Sequence, residues 1–342
     1  MLRPAEIRFN LAQIGAVAAV MIIVCVYYIV GGYHFPDYTN YITIVKNGGV
    51  LRDSSEYVAE WFSRGFFKLV PAKLDIEPRA TVDLFVAIVQ AAFLIFVTWA
   101  SRGSPRLARG WVFLTLALGP LLLTTAVRSA PAYLCIAYLG CDENLKKRPW
   151  FKFLILAVVA VSFHDTAIVM LGLLAVTVLL AKVQSRLLDW LIAGVLFLVP
   201  VVLFFSQLIT NFLLPIIVAH VHAGSSIYLA TNPTGSIIKR FFMLFIWWCV
   251  FSTWRADQVS RRTKIFLIAS LALAVSAYLI NEVAGIRFSL FCLGVAVVAR
   301  GAFLVTGDES KATPLLMRLD LIAAIIYGFL IYADVLRQGG AQ

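Results

Sequence analysis

Three arginines stand at the ends of long apolar runs, where a charged side chain is energetically expensive: Arg128, Arg240 and Arg287. Charged residues in or beside membrane spans are rare and are candidate functional groups. A planar guanidinium donates paired hydrogen bonds to phosphate oxygens, so this residue type predicts a diphosphate-binding site. Snorkelling of each arginine to lipid headgroups is the alternative interpretation.

A second set of residues has the chemistry of proton transfer. His164 stands at a polar break within an apolar run, and an imidazole is a suitable general base near neutral pH. Asp37 and Glu60 are the next candidates for that base. For His164 the alternative is a buried, hydrogen-bonded histidine that stabilises the turn.

Aromatic residues follow the two acids, and we assign Tyr38, Tyr41 and Trp61 to sugar binding. Aromatic faces stack on pyranose rings while carboxylates accept hydrogen bonds from hydroxyl groups. An interfacial aromatic belt is the alternative. In an extended segment the spacing of His220 and His222 would put both side chains on one face, and we assign them to the same glycan. No further ligand cluster lies near them, so the sequence predicts no metal site.

The composition limits the class of protein that holds these residues. Of 342 residues 61% are hydrophobic and 14% charged, with a mean hydropathy of +0.90, whereas soluble domains have about a quarter charged residues. The chain has no Rossmann glycine pattern, P-loop or zinc spacing, and its five cysteines are scattered. We expect one membrane-embedded all-α domain over 1–342, with no cofactor and no nucleic-acid partner.

Apolar runs long enough to cross a bilayer recur along the whole chain. We predict spans at 11–30, 81–99, 110–126, 129–141, 188–207, 237–254, 264–281, 285–304 and 318–335. The run 151–181 is too long for one span and is interrupted at His164, so we interpret it as a helical hairpin. The prediction is a polytopic bundle of about eleven transmembrane helices, with a range of roughly nine to twelve.

Basic residues in short loops set the expected orientation. Loops 102–109, 146–152 and 255–264 are rich in Lys and Arg and should be cytoplasmic. Alternation then places 31–80 and 208–236 outside, with the N-terminus inside and the C-terminus outside. The 31–80 loop carries six basic and six acidic residues and is expected to contain an amphipathic helix on the membrane surface.

The order of several short motifs resembles the EpsG/Wzy-like family of bacterial polysaccharide polymerases. The resemblance covers about residues 30–290 and rests on Asp37-Tyr38-x-x-Tyr41, Glu60-Trp61-Phe62, Arg128-Ser129-Ala130-Pro131-Ala132, Phe163-His164-Asp165-Thr166-Ala167 and Arg287. The chain departs from the family pattern, as we expect it, at Trp61, Ser129 and the Asp165-Thr166 pair.

The resemblance implies a GT-C-like glycosyltransferase of the bacterial inner membrane, with its active site facing the periplasm. Its substrate would be oligosaccharide repeat units on undecaprenyl diphosphate, for O-antigen or another polysaccharide. Membrane lipids and a chain-length regulator are the further expected partners. In this interpretation the arginines stabilise the diphosphate without a metal, and Asp37, Tyr38, Tyr41, Glu60, Arg128, His164 and Arg287 carry the family's site.

Three other functions fit a protein with many spans. A transporter or flippase would show broken helices in corresponding halves, and no clear internal repeat is present. A membrane acyltransferase that modifies surface glycans would need an arginine and a histidine close together at the first span, which carries neither within 11–30. A scaffold subunit of an envelope complex would tolerate alanine at the outer arginines and the histidine.

Overall fold

The computed structural model describes most of the chain: residues 11–32, 35–49, 60–102, 105–141, 150–183, 185–206, 237–256, 259–280, 282–303, 322–326, 328–330 and 332–333. All regular elements in these ranges are helical, which confirms the all-α class. The second predicted outer loop, with His220 and His222, lies outside them.

The chain divides into two compact units, and residues 1–134 and 297–342 form the first. Its elements are α1 Leu11–Val30, α2 Pro36–Lys46, α3 Trp61–Leu74, α4 Pro78–Ser101, α5 Pro105–Thr124 and a 3₁₀ turn at Val127–Ser129. Here α1, α4 and α5 pack against one another, and α2 and α3 pack against α4.

The second unit comprises residues 135–296. Its helices are α7 Trp150–Phe163, α8 Thr166–Leu180, α9 Arg186–Phe204, α10 Ile237–Trp254 and α11 Arg261–Ile280. Two further helices, α6 Ala130–Gly140 and α12 Glu282–Phe303, each have residues in both units.

Three described helices are long and apolar enough to cross a bilayer: Gln13–Val30, Pro78–Ser101 and Arg261–Ile280. Shorter apolar helices lie at Ala108–Thr124, Trp150–Phe163, Thr166–Leu180 and Asp189–Phe204. The predicted total of about eleven crossings therefore stays a prediction. At 11 residues, α6 is about 16 Å long, roughly half a bilayer's hydrocarbon core.

An aromatic cluster attaches the two loop helices to α4. The ring of Phe85 on α4 lies 4.6 Å from that of Phe67 and 5.3 Å from that of Phe66, both on α3. Tyr41 of α2 lies 5.9 Å from Phe67. The part of the predicted amphipathic helix that is described begins at Trp61, which is exposed, whereas Phe67 is buried. The helices α2 and α3 are therefore packed on α4 through aromatic contacts.

In the second unit, side chains satisfy backbone carbonyls that helix geometry leaves open. Pro200 has no N–H to donate to the Leu196 carbonyl one turn earlier. The indole Nε1 of Trp247 donates to that carbonyl instead, at 2.6 Å. At the end of α6, Arg262 donates to the Leu139 carbonyl at 2.8 Å, and α11 is thereby tied to the α6 terminus.

The break predicted within 151–181 is present. The helix α7 ends at Phe163 and α8 begins at Thr166, so His164 and Asp165 lie between them. The two helices contact each other. The interpretation of this run as two helices meeting at His164 is therefore confirmed.

Candidate functional site

The first cluster of charged residues in the first unit is an ion pair between Arg128 and Glu60. The guanidinium Nη1 lies 3.1 Å from the Glu60 Oε2, and the two side chains are 20% and 6% exposed. Arg128 belongs to the 3₁₀ turn immediately before α6. The positive end of the α6 dipole therefore adds to the guanidinium charge, which favours an anion at this place.

Glu60 reaches this pair from an unusual backbone conformation. It precedes α3 with φ 64° and ψ 20°, in the left-handed region that side chains other than glycine rarely adopt. Such a conformation costs about 1–3 kcal/mol and persists only where the surroundings enforce it. The ion pair with Arg128 is one contact that holds Glu60 in place.

Tyr41 ties the same turn to α2. Its hydroxyl accepts a hydrogen bond from the Arg128 backbone N–H at 3.2 Å and lies 3.5 Å from the Thr125 carbonyl oxygen. Burial raises the pKa of this phenol, and the nearby Asp37 carboxylate adds to the effect. Tyr41 therefore stays a neutral hydroxyl that fixes the position of the Arg128 backbone.

Tyr38, one turn before Tyr41 on α2, contacts an acid that the sequence analysis did not select. Its hydroxyl donates to Oδ1 of Asp83 on α4 at 2.8 Å. Burial and this hydrogen bond raise the pKa of Tyr38 to about 12. The signal for Asp83 was present in the sequence, since α4 is an apolar membrane-span candidate and an acid within such a helix is a functional candidate.

The remaining candidates of the first unit are less constrained. Asp37 is half-buried in the first turn of α2. Trp61 is 55% exposed at the start of α3, so its ring is open to a ligand or to lipid. The first unit thus brings together four predicted residues from three separate motifs: Asp37, Tyr41, Glu60 and Arg128.

The second cluster lies in the second unit, between α7 and α8. His164 is buried, and its Nδ1 lies 2.7 Å from Oδ1 of Asp165. A nitrogen that close to a carboxylate oxygen carries a proton and donates it, which makes Nε2 the basic nitrogen of the neutral ring. The Thr166 hydroxyl is 3.0 Å from the same Nδ1, and the Thr166 N–H donates to Asp165 at 2.7 Å as the α8 cap.

Asp165 remains ionised beside the imidazole. Burial alone would raise the pKa of its carboxyl, but the hydrogen bond and charge of His164 lower it. The Thr166 N–H and the charge of Arg287 act in the same direction, so the pKa is about 2. Arg287, half-buried in α12, is thus placed near this pair within the second unit.

Asp165 is the second residue that the sequence analysis did not select, although it is adjacent to His164 and an acid next to a histidine was the available signal. Arg240 is half-buried in the first turn of α10, and its diphosphate role stays a prediction. The roles of His220 and His222 also stay predictions, because these residues lie outside the described part of the chain.

The described part of the chain is all-helical, with membrane-span candidates and buried charged clusters, which is typical of a polytopic helical membrane protein. The chain belongs to the EpsG family, whose model matches residues 16–338. The resemblance seen in the short motifs is therefore confirmed over nearly the whole chain, and the membership indicates a membrane protein of the polysaccharide-polymerase type. No curated protein and no solved structure matches the chain.

Proposed function

We propose that this protein joins oligosaccharide repeat units carried on undecaprenyl diphosphate, at the outer face of the bacterial inner membrane. The observation that carries the proposal is the Arg128–Glu60–Tyr41 cluster, built from three motifs of an EpsG family member. In the proposed reaction a hydroxyl of one lipid-linked unit attacks the anomeric carbon of the growing glycan. The bond from that carbon to the diphosphate oxygen breaks.

Arg128 is the proposed stabiliser of the leaving diphosphate. The departing oxygen takes the bonding electron pair, and fixed positive groups lower the energy of that developing charge. Arg128 has 20% of its side chain exposed and stands at the start of α6, so it presents charge and helix dipole together. Glu60 keeps the guanidinium oriented before the anion arrives. Arg287 and Arg240 are proposed to assist.

His164 is the proposed general base. The attacking sugar hydroxyl is a weak nucleophile until its proton is removed. Asp165 accepts a hydrogen bond from Nδ1–H, which leaves Nε2 to receive the hydroxyl proton, and the carboxylate stabilises the imidazolium that forms. The ionised state of Asp165 supports this role because a protonated carboxyl would not stabilise the cation.

Complementation of a deletion strain tests the proposal. The gene is deleted in its host, the wild-type gene or a variant is restored at matched membrane abundance, and surface glycan length is read on a gel. Wild type should restore a ladder, whereas Arg128→Ala, His164→Ala and Arg287→Ala should give single-repeat glycan. Arg261→Ala is the matched control, because Arg261 forms an exposed ion pair with Asp189.

Two results would contradict the polymerase. An unchanged ladder in the deletion strain would mean that the protein does not set glycan length. Loss of even single repeats would place the protein upstream, as a flippase or a unit-assembly enzyme. Alanine variants that all behave as wild type would indicate a scaffold role instead.

A further inference from the structure

An acidic side chain on a membrane-span candidate, Asp83 of α4, has no described role in the reaction proposed above. It is exposed, and in the described part of the chain no basic side chain forms an ion pair with it. Its Oδ1 accepts a hydrogen bond from the Tyr38 hydroxyl at 2.8 Å. Among the described residues Oδ2 has no hydrogen-bond partner, so a carboxylate of fixed orientation keeps one oxygen available.

Aromatic rings border this carboxylate. Tyr27 and Tyr28, in the last turn of α1, lie within electrostatic reach of Asp83. Tyr27 is buried and stacks on Phe35 with 5.0 Å between ring centroids, whereas Tyr28 is 52% exposed. The Tyr28 ring is perpendicular to that of Tyr27, with 5.3 Å between the ring centroids, and this packing orients the exposed Tyr28 ring.

The helix α2 connects Asp83 and its aromatic neighbours with the Arg128 cluster. Tyr38 and Tyr41 are three residues apart on α2, so they lie about 5–6 Å apart on one side of the helix. Tyr38 contacts Asp83, and Tyr41 contacts Arg128. The helix α2 thus contacts Asp83 through Tyr38 and the Arg128 backbone through Tyr41, and it links the two places.

We propose that Asp83, Tyr28 and Tyr38 form a sugar-binding subsite for the hydroxyl-rich ring next to the diphosphate of the lipid-linked substrate. This inference rests on the proposed function for the identity of the glycan. The Asp83 Oδ2 accepts hydrogen bonds from one or two ring hydroxyls, and Tyr28 stacks on the ring face. The Tyr38 hydroxyl, by donating to Oδ1, fixes the plane of the carboxylate.

Binding to the purified full chain in lipid nanodiscs tests the subsite separately from catalysis. The probe is a set of oligosaccharides prepared by partial hydrolysis of the host's own surface polysaccharide, and binding is measured by saturation-transfer NMR. Asp83→Asn keeps an acceptor for Tyr38 but removes the charge, and affinity should fall about tenfold or more. Glu77→Gln, an exposed acid just before α4, is the matched control and should bind as wild type.

A second pair of variants separates stacking from folding. Tyr28→Phe keeps the ring and should bind the oligosaccharides, whereas Tyr28→Leu removes the aromatic face and should weaken binding. Equal binding by Asp83→Asn and wild type would overturn the subsite, and so would the absence of binding by wild type. If deletion of the gene left glycan length unchanged while binding still depended on Asp83, the polymerase would fail and the subsite would stand.

Discussion

The cluster around Arg128 is assembled from distant parts of the chain, whereas the cluster around His164 lies within three consecutive residues. Arg128 meets Glu60 from the start of α3 and Tyr41 from α2, which is 87 residues away in the sequence. His164 meets Asp165 and Thr166 in the turn between α7 and α8. The first depends on the tertiary fold and the second mainly on one local turn.

The two clusters also differ in their charge. Arg128 already has a carboxylate partner, so an anion must either bind the guanidinium together with Glu60 or displace Glu60 from it. In the His164 cluster an ionised Asp165 lies beside an imidazole ring. This difference supports the proposal that the first cluster binds the diphosphate and that the second transfers a proton.

The largest expected effect is the loss of the base. His164→Ala should lower the rate of polymerisation in nanodiscs with lipid-linked units by about 10²–10⁴-fold. Asp165→Asn should cause a smaller loss, because the ring remains but its tautomer and its cation are less well stabilised. Ser162→Ala, which removes only a local bond to the Val159 carbonyl, is the control in the same segment.

The pH profile of these variants separates base catalysis from folding. The Asp165 pKa is lowered to about 2, so its stabilising contribution is present above the unfolded value of about 3.9 and is lost as pH falls toward 2. Between about pH 5 and pH 8 Asp165 does not titrate, so an acid limb there belongs to another group. The pH–rate profile of a residually active His164 variant is compared with that of wild type. If the fall in rate at low pH were the same in both, the assignment of His164 as base would be contradicted.

The next largest expected effect is the loss of a side chain that stabilises the leaving diphosphate. Arg128→Ala should lower the polymerisation rate by about 10²–10³-fold, as expected for one lost donor at a developing charge. Arg128→Lys should recover little, because an ammonium lacks the paired donors of a guanidinium. Arg261→Ala is the exposed control. Full activity of Arg128→Lys would mean that charge alone suffices and that the fork geometry has no role.

The local turn at His164 could be predicted from the sequence, whereas the contacts of the Arg128 cluster could not. The apolar composition and periodicity establish the helical class, and the break at His164 is visible because polar residues interrupt an apolar run. The pairing of Glu60 with Arg128 was not predicted, since it depends on how α3 and the 3₁₀ turn pack around α4. The contact of Tyr38 with Asp83 has the same origin.

A smaller effect should appear in stability. Glu60→Ala leaves Arg128 largely buried without this partner, and unfolding free energy should fall by about 3 kcal/mol. Asp189→Ala breaks an exposed pair with Arg261 and should cost less than about 1 kcal/mol. Thermal unfolding in detergent, followed by fluorescence-detected size exclusion, checks both. Equal shifts for the two variants would show that the Arg128 pair is no more important to the fold than a surface pair.

The smallest expected effect is a change in stability at one end of α3. Glu60 and Asp75, at the two ends of this helix, both have positive φ, 64° and 51°. Asp75 is exposed at the C-cap, and its N–H donates to the Pro71 carbonyl at 3.0 Å. Asp75→Gly keeps that bond, relieves the left-handed conformation and removes a negative charge from the negative end of the helix dipole. It should stabilise the protein by about 0.5 kcal/mol without changing activity.

Glu60→Gly relieves the same backbone conformation but removes the Arg128 partner. The loss of a buried ion pair outweighs a gain of about 1 kcal/mol from the backbone, so this variant should be less stable than wild type and inactive. The same substitution should therefore have opposite signs at the two ends of one helix. If both variants were stabilising, the positive φ of Glu60 would be a strain that the Arg128 pair does not offset.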